Sequence, residues 1–501
     1  MSVDAMAMIR GLTKAILALS TGAAFAQVHA APQSTSVPLE SGIRTATSGE
    51  VFDPLRTQPA VLDRGATLPG DGSPIECDGR PALPLHPLSL GEAVDLALCN
   101  SAQVQLTWAG IKLQAAQLGQ SRASWLPTVT SSISAQRART TYPEFPASDN
   151  TQKGNTAYAD VTWRLFDFGA RSASDLSALR LLDAALASHD AALQKTLDAV
   201  VQAYFDAVTA RAAADGRAQA ALYALQTYEA TQRRESRGAA PIGDTLQANV
   251  AYAKARLAEQ RAKGDFRKAL SVLLYACGLP PEAEVDLAKD SETVPAQALA
   301  DLTSWLDMAA SHPAVLAAKA QVDAAEAKVD VTRAQGMPSI DFSGNYYRNG
   351  YPNQGLQSTR SSTTTIGITL TIPLFEGFAR TYQINGARAQ VEQLQAQLRD
   401  TRLQLFSSIV KDHADAAAAL ANLQSSATLL NAAEAAVDSS RKRYDHGEGD
   451  ILELLAAQSA STDALQERIR CVAEWRSARL RLFADAGVLG RAGVAEKFVA
   501  P

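Results

Sequence analysis

Residues 387–446 read ARAQVEQLQAQLRDTRLQLFSSIVKDHADAAAALANLQSSATLLNAAEAAVDSSRKRYDH. Neither glycine nor proline interrupts this stretch of about 60 residues, and a continuous helix of that length is roughly 90 Å long. Apolar side chains recur every seven residues in two runs, which are Val391, Leu398 and Leu405, then Leu423, Leu430, Val437 and Tyr444. This spacing predicts coiled-coil packing, and the many alanines between let neighbouring helices approach closely. The stretch therefore predicts a helical rod too long for the inside of a compact globule.

The chain repeats itself at an offset of 209 residues. Three separate pairs share this offset, namely Phe166 with Phe375, Gly238 with Gly447, and Gly278 with Gly487. Upstream, Pro127 and Pro338 are 211 residues apart, so two residues were gained or lost between the prolines and the phenylalanines. One offset shared by three distant sites predicts a tandem duplication. Each unit reads as helix, hairpin, very long helix, turn and helix.

The duplication gives the expected division of the chain. We place a signal peptide at 1–30, a proline-rich extended leader at 31–87, a first repeat at 88–279, a linker at 280–300, a second repeat at 301–490 and a C-terminal tail at 491–501. The first repeat has its hairpin at 127–168 and its long helix at 170–237, and the second has them at 338–375 and 380–446.

The N-terminus predicts export. Arg10 and Lys14 precede the apolar stretch 15–23, and small residues follow with possible cleavage after Ala26 or Ala30. A buried N-terminal helix is the alternative interpretation. No cysteine follows the apolar stretch, so we expect no lipid anchor. Elsewhere no run of about 18 apolar residues occurs, so any membrane crossing is expected to use strands.

Four cysteines are too few for a disulfide scaffold, but export permits one bridge. Cys77 and Cys99 flank a predicted helix start near Leu88, where a bridge would tie the leader to the folded body. We expect this pair to be bonded, with two unpaired thiols as the alternative. Cys277 and Cys471 lie in helical patterns and are expected to be small core residues.

The hairpins alternate apolar and polar residues. In the second repeat the apolar positions are Ile366, Ile368, Leu370, Ile372 and Leu374. Aromatic residues concentrate in both hairpin regions, several of them at strand ends, as in the girdles of membrane strands. A half-buried soluble sheet is the alternative. Four strands cannot close a barrel, and an open edge in lipid leaves amides unpaired, so we expect the chain to oligomerise through its strands.

Composition excludes other classes of function. The 501 residues carry 47 Lys and Arg against 52 Asp and Glu, a formal charge of −5, which is too balanced for a chain devoted to nucleic acid. Six histidines are scattered without metal-ligand spacing, and neither a phosphate-binding loop nor a nucleophile elbow occurs. We therefore expect no enzyme activity, no metal and no cofactor.

The order of these motifs resembles the TolC family of outer-membrane channels. The resemblance rests on the duplicated unit, on L-P-[TS] before each hairpin, on L-F-[DE] after it and on the turn glycines, and it covers nearly all of 88–490. It implies a mainly α fold with a membrane β-barrel, in which a homotrimer closes twelve strands and continues into a long α-helical periplasmic barrel. The periplasmic end is closed until an inner-membrane pump and a periplasmic adaptor dock.

The resemblance also implies a pore constriction at the two helix turns, Gly238 and Gly447. The acidic position six residues after each glycine falls on Asp244 and Glu453, and the tyrosine three before the second glycine falls on Tyr444. The residues alone, apart from the resemblance, predict that Asp450 is the N-cap of a helix whose first turn carries Glu453. Helix capping alone is therefore the alternative role for these carboxylates. Threefold repetition would make them rings of negative charge that favour cations.

This sequence departs from the family pattern in the closing contacts. A member of the family has an arginine two residues after the second glycine and an aspartate nine after it, where this chain has Gly449 and Ala456. Arg441, Lys442 or Arg443 is the expected substitute cation.

The predicted function is an outer-membrane exit duct that spans the periplasm. We favour type I secretion of a protein such as a toxin, with an ABC transporter as the pump, because the lipid-anchor cysteine is missing and because Cys77 and Cys99 are placed as in secretion members of the family. Small-molecule efflux with a proton-driven pump is the alternative, and a trimeric coiled-coil surface stalk is a distant one.

Overall fold

The computed structural model describes residues 53–65, 77, 86–141, 143–144, 150–288, 299–350 and 361–490, all within one of the chain's two units, Phe52–Pro501. The predicted signal peptide, most of the leader, part of the linker and the C-terminal tail lie outside the described residues.

Helices dominate the described chain. They are α1 (Val61–Arg64), α2 (Leu90–Asn100), α3 (Ala102–Ala123), α4 (Ala170–Glu235), α5 (Ile242–Ala276), α6 (Leu302–Ala309), α7 (Pro313–Ala334), α8 (Ala379–Asp445) and α9 (Ile451–Asp485). The strands are β1 (Thr128–Thr140), β2 (Asn150–Phe166), β3 (Ser339–Asn349) and β4 (Ser361–Thr371). The succession helix, hairpin, long helix, helix occurs twice, which confirms the predicted mainly α fold and its tandem duplication. Within this part of the chain, no helix is both long enough and apolar enough to span a membrane.

The four strands form one antiparallel sheet in the order β1-β2-β3-β4. Thr128 pairs with Thr162 inside the first hairpin, Tyr158 with Tyr347 between the hairpins, and Ser339 with Thr371 inside the second. The two repeats therefore share the sheet, with β1 and β4 as its edges. The alternating apolar side chains of β4 lie exposed, Ile366 and Ile368 by 72% and 69%, so no layer of the described residues covers the apolar face of this strand.

The two longest helices have 66 residues (α4) and 67 residues (α8). Each starts after a residue in the left-handed region, Gly169 at φ +90° and Phe378 at φ +64°. At a rise of 1.5 Å per residue each helix is about 100 Å long.

Buried apolar residues concentrate where α2, α4, α5 and α9 meet. The largest cluster includes Leu193, Leu197, Val200, Leu273, Leu274 and Leu480. Cys277 lies buried in this cluster, and Cys471 is buried on α9. Cys77 and Cys99 form a disulfide with a Cα–Cα distance of 5.4 Å, which ties residue 77 to α2.

Candidate functional site

The predicted constriction lies at the turns between α4 and α5 and between α8 and α9. Gly238 (φ +69°) and Gly447 (φ +79°) end the two long helices in the left-handed conformation, where a side chain would be strained. In the first repeat the amide of Ala239 donates to the Arg234 carbonyl at 2.8 Å, and in the second Glu448 donates to the Arg443 carbonyl at 2.9 Å. Both turns therefore end their helix with the same Schellman-type closure.

The end of the molecule that carries the two turns is called the tip. The acidic residues predicted there lie at the starts of α5 and α9, the helices that follow the turns. Asp450 is the N-cap of α9, and its carboxylate accepts a hydrogen bond from the Leu452 amide at 3.2 Å. Asp244 and Glu453 stand in the first turns of α5 and α9, where the positive end of the helix dipole favours a carboxylate. All three therefore have a local stabilising role, besides any effect on the pore.

Glu453 also has a direct partner, because it forms an ion pair with Arg443 across the second turn. Both side chains are nearly half exposed, so the pair contributes little to stability. Arg443 is one of the three cations proposed as substitutes, and Lys442, another, instead binds Asp438 at 2.6 Å within α8. A Cβ added at Gly449 would lie 3.0 Å from the Tyr444 nitrogen, so an arginine there would need the backbone to shift.

Arg234, which sequence reasoning missed, connects the two repeats at the tip. Its Nη1 donates to the Tyr444 carbonyl at 3.0 Å, and its guanidinium carbon lies 4.7 Å from the centroid of the Tyr444 ring. The offset of 209 residues makes Arg234 the counterpart of Arg443, but it does not indicate the contact with Tyr444. The predicted Tyr444 is thus a contact point, although its partner is a cation of the other repeat.

Tyr444 is buried, with 6% of its surface exposed, and packs with Ile451 and Leu454. Its hydroxyl has no hydrogen-bond partner among the residues that the structure describes. Burial raises the pKa of Tyr444; the positive charge of Arg234 opposes this rise. The carboxylates of Asp244, Asp445 and Asp450 raise the pKa further, so two of the predicted acidic residues lie near the tyrosine.

A cavity of 1240 Å³ lies between α4, α5, α8 and α9. It is lined from all four helices, including Tyr223, Val250, Val437, Leu455 and Tyr444. Over the described ranges no three His, Cys, Asp or Glu side chains are grouped so as to hold a metal ion.

Comparison with known proteins places both repeats in one family. The family described as outer membrane efflux protein matches residues 93–279 and again residues 307–488. Protein CyaE of Bordetella pertussis is 37% identical over 473 residues, which cover 93% of this chain and 98% of that protein. The alkaline protease secretion protein AprF of Pseudomonas aeruginosa is 29% identical over 316 residues, which cover 61% of this chain and 65% of that protein.

A solved structure shares the fold. The outer membrane protein VceC of Vibrio cholerae superimposes with a TM-score of 0.68 at 20% identity, over 79% of this chain and 96% of that one. This likeness carries the architecture and no more, because the sequence identity is low.

Proposed function

The chain belongs to the outer membrane efflux protein family, and from that premise we propose that it is the exit channel of a type I protein secretion machine. Its place is the outer membrane, and its long helices extend from there into the periplasm. The observation that carries the proposal is a four-stranded sheet with two open edges, joined directly to two helices of about 100 Å.

The open edges require partner chains. A strand edge in lipid leaves unpaired N–H and C=O groups that cost several kcal/mol each, and the smallest membrane barrels have about eight strands. Three copies supply twelve strands, which close a barrel in which β1 of one chain pairs with β4 of the next. The exposed Ile366, Ile368 and Leu370 then face lipid.

Protein is the favoured cargo. The name of AprF describes secretion of a protease, and that protein matches 61% of this chain. The partners of such a duct are a periplasmic adaptor and an inner-membrane pump, with an ABC transporter favoured. Small-molecule efflux is the second candidate, because the family takes its description from efflux. A surface stalk is disfavoured, since it needs neither the duplication nor the turns that fold the rods back.

The resting gate is the tip. Asp244, Tyr444, Asp450 and Glu453 stand around the two turns, and a threefold axis would repeat each of them as a ring. The carboxylates favour cations over anions in a pore of this kind. Opening requires the hairpin α4/α5 to move away from the hairpin α8/α9 or from a neighbouring chain.

Deletion of the gene in its host tests the cargo. A secretion duct predicts that one or a few proteins disappear from the culture supernatant and accumulate in the cell, while susceptibility to dyes, detergents and antibiotics is unchanged. The opposite pattern, an intact supernatant with raised susceptibility, contradicts secretion and supports efflux. Re-expression of the wild-type chain is the control for both arms.

A further inference from the structure

We propose that Arg234 holds the resting tip closed by clamping the main chain and the ring face of Tyr444. The proposal rests on the proposed function, since it identifies the residue that gates the same channel. The first repeat would thereby hold the end of the second through one side chain.

The clamp arises from an asymmetry between the two repeats. Arg234 and Arg443 are counterparts at the offset of 209 residues, as are Asp244 and Glu453. In the second repeat Arg443 turns back to Glu453 of its own hairpin. In the first repeat the Arg234 side chain contacts Tyr444 of the other repeat instead of Asp244. Asp244 therefore has no ion pair within the described part of the chain. The duplication thus provides two equivalent arginines, and only one of them connects the repeats.

The geometry suits an arginine in particular. A guanidinium can donate in its plane while its face lies over an aromatic ring, whereas an ammonium is a point charge. The Tyr444 carbonyl lies in the last turn of α8, where the helix dipole is negative and a cation is favoured. The Tyr444 carbonyl also accepts a hydrogen bond from the Gly447 amide at 3.1 Å, so Arg234 binds a carbonyl that is part of the turn.

The hydroxyl of Tyr444 takes no part in this contact. It is buried without a hydrogen-bond partner in the described chain, so it does not bind Asp244. The clamp therefore needs the ring and the carbonyl of Tyr444, and its oxygen Oη is dispensable.

Arg234 also lies at the end of the interface between the repeats where the two turns are. Farther from the turns, Gln458 donates to Thr227 at 3.0 Å, and Arg217 lies 3.6 Å from Asp463. Arg234 with Tyr444 is the contact of this series nearest the turns. A splaying motion that begins at the tip must break this contact first.

Planar bilayers with purified, assembled wild type and variants provide the test. We expect Arg234→Gln to raise the resting conductance several-fold and Arg234→Lys to restore it in part. Arg233→Gln is the matched control, since this neighbouring exposed arginine pairs with Glu229 of the same helix and its replacement removes the same charge. Tyr444→Leu, which removes the ring face but keeps the carbonyl, should raise the resting conductance less than Arg234→Gln does, and equal thermal unfolding of all variants shows that the fold is retained.

The outcomes separate the clamp from the channel. A conducting wild type with Arg234→Gln at the same resting conductance overturns the clamp and leaves the channel intact. Wild-type resting conductance in Tyr444→Leu also overturns it, because the ring face would then contribute nothing to closure. Silence of every protein, Arg234→Gln included, overturns the proposed channel function and the clamp with it.

Discussion

Arg171 forms a buried ion pair with Asp167 at 2.9 Å at the start of α4, four residues apart. At the offset of 209 residues, Arg380 binds Glu376 at 3.0 Å at the start of α8. The acidic residue of each L-F-[DE] motif is therefore an anchor for the first turn of a long helix. In the first repeat the Arg171 guanidinium also lies 4.3 Å from the Trp125 ring centroid, which links the helix start to the segment before β1.

Removal of the buried anchor should destabilise the chain strongly. Asp167→Asn leaves Arg171 buried and uncompensated, and loss of one partner of a buried pair costs about 3–5 kcal/mol. Glu376→Gln is the matched variant in the second repeat, where the pair is more exposed, so we expect a loss of at most about 1 kcal/mol. Thermal unfolding followed by circular dichroism at one scan rate measures both. Equal losses would contradict the role assigned to burial.

The disulfide should stabilise the folded chain measurably. Cys77 and Cys99 close a loop over a separation of 22 residues, and a cross-link of that size contributes about 3 kcal/mol. Cys77→Ser combined with Cys99→Ser should unfold at lower denaturant concentration than the oxidised wild type. Reductant should lower the wild-type midpoint and leave the variant unchanged. A midpoint insensitive to both changes would show that the bridge is dispensable.

Stability should fall as pH rises towards neutrality, because the Asp485 carboxyl lies beside the buried carboxyl group of Asp412. Burial raises the pKa of Asp485 to about 7, as do the hydrogen bond with Asp412 and the charges of Asp412 and Asp198, while Arg481 opposes the rise. The folded chain thus binds this proton more tightly than the unfolded chain, with its ordinary value of 3.8. The stabilisation that comes from protonated Asp485 is complete below pH 3.8, the pKa in the unfolded chain, and is lost as the pH rises through about 7.

Asp485→Asn tests this linkage, since the amide imitates the protonated acid. The variant should lose less stability than wild type between pH 5 and pH 8 in thermal unfolding. Asp265→Asn, at an exposed residue paired with Lys268, is the control and should follow wild type. An Asp485→Asn curve parallel to that of wild type would show that the raised pKa of Asp485 does not set this pH dependence.

The acidic tip should set ion selectivity. Asp244→Asn combined with Glu453→Gln removes two negative charges per chain, and the second change leaves Arg443 without its partner. We expect the reversal potential in a salt gradient to move away from the equilibrium potential of the cation, because the pore then selects less strongly for cations. Asp265→Asn, far from the turns, keeps the wild-type potential. An unchanged reversal potential in the double variant would confine these carboxylates to helix capping.

Local pattern was sufficient for the helices and turns, and insufficient for contacts between them. The uninterrupted stretch 387–446 predicted the rod because helix breakers act locally, and Gly238 and Gly447 predicted the turns because φ is positive there. Arg234 was missed because its contact with Tyr444 joins residues 210 positions apart, and no periodicity encodes such a pair.

Symmetry would also have misled at this position. The equivalence of the repeats predicts that Arg234 binds Asp244 as Arg443 binds Glu453, whereas the structure directs it across the interface. Packing between repeats differs on the two sides of each hairpin, so equivalent residues meet different neighbours. Arg171 and Arg380, the partners of the L-F-[DE] acids, are a different case: each lies four residues after its acid, so this local spacing and the offset of 209 residues could have identified both.

Conductance of the purified wild-type protein, assembled and inserted in a planar bilayer, tests the central claim most directly. If three chains together form the wall of one duct, the conductance should rise in cation-selective steps of one unit size. Protein that inserts as assembled oligomers and passes no ions under any applied voltage, in the wild type and in Arg234→Gln alike, would contradict the account.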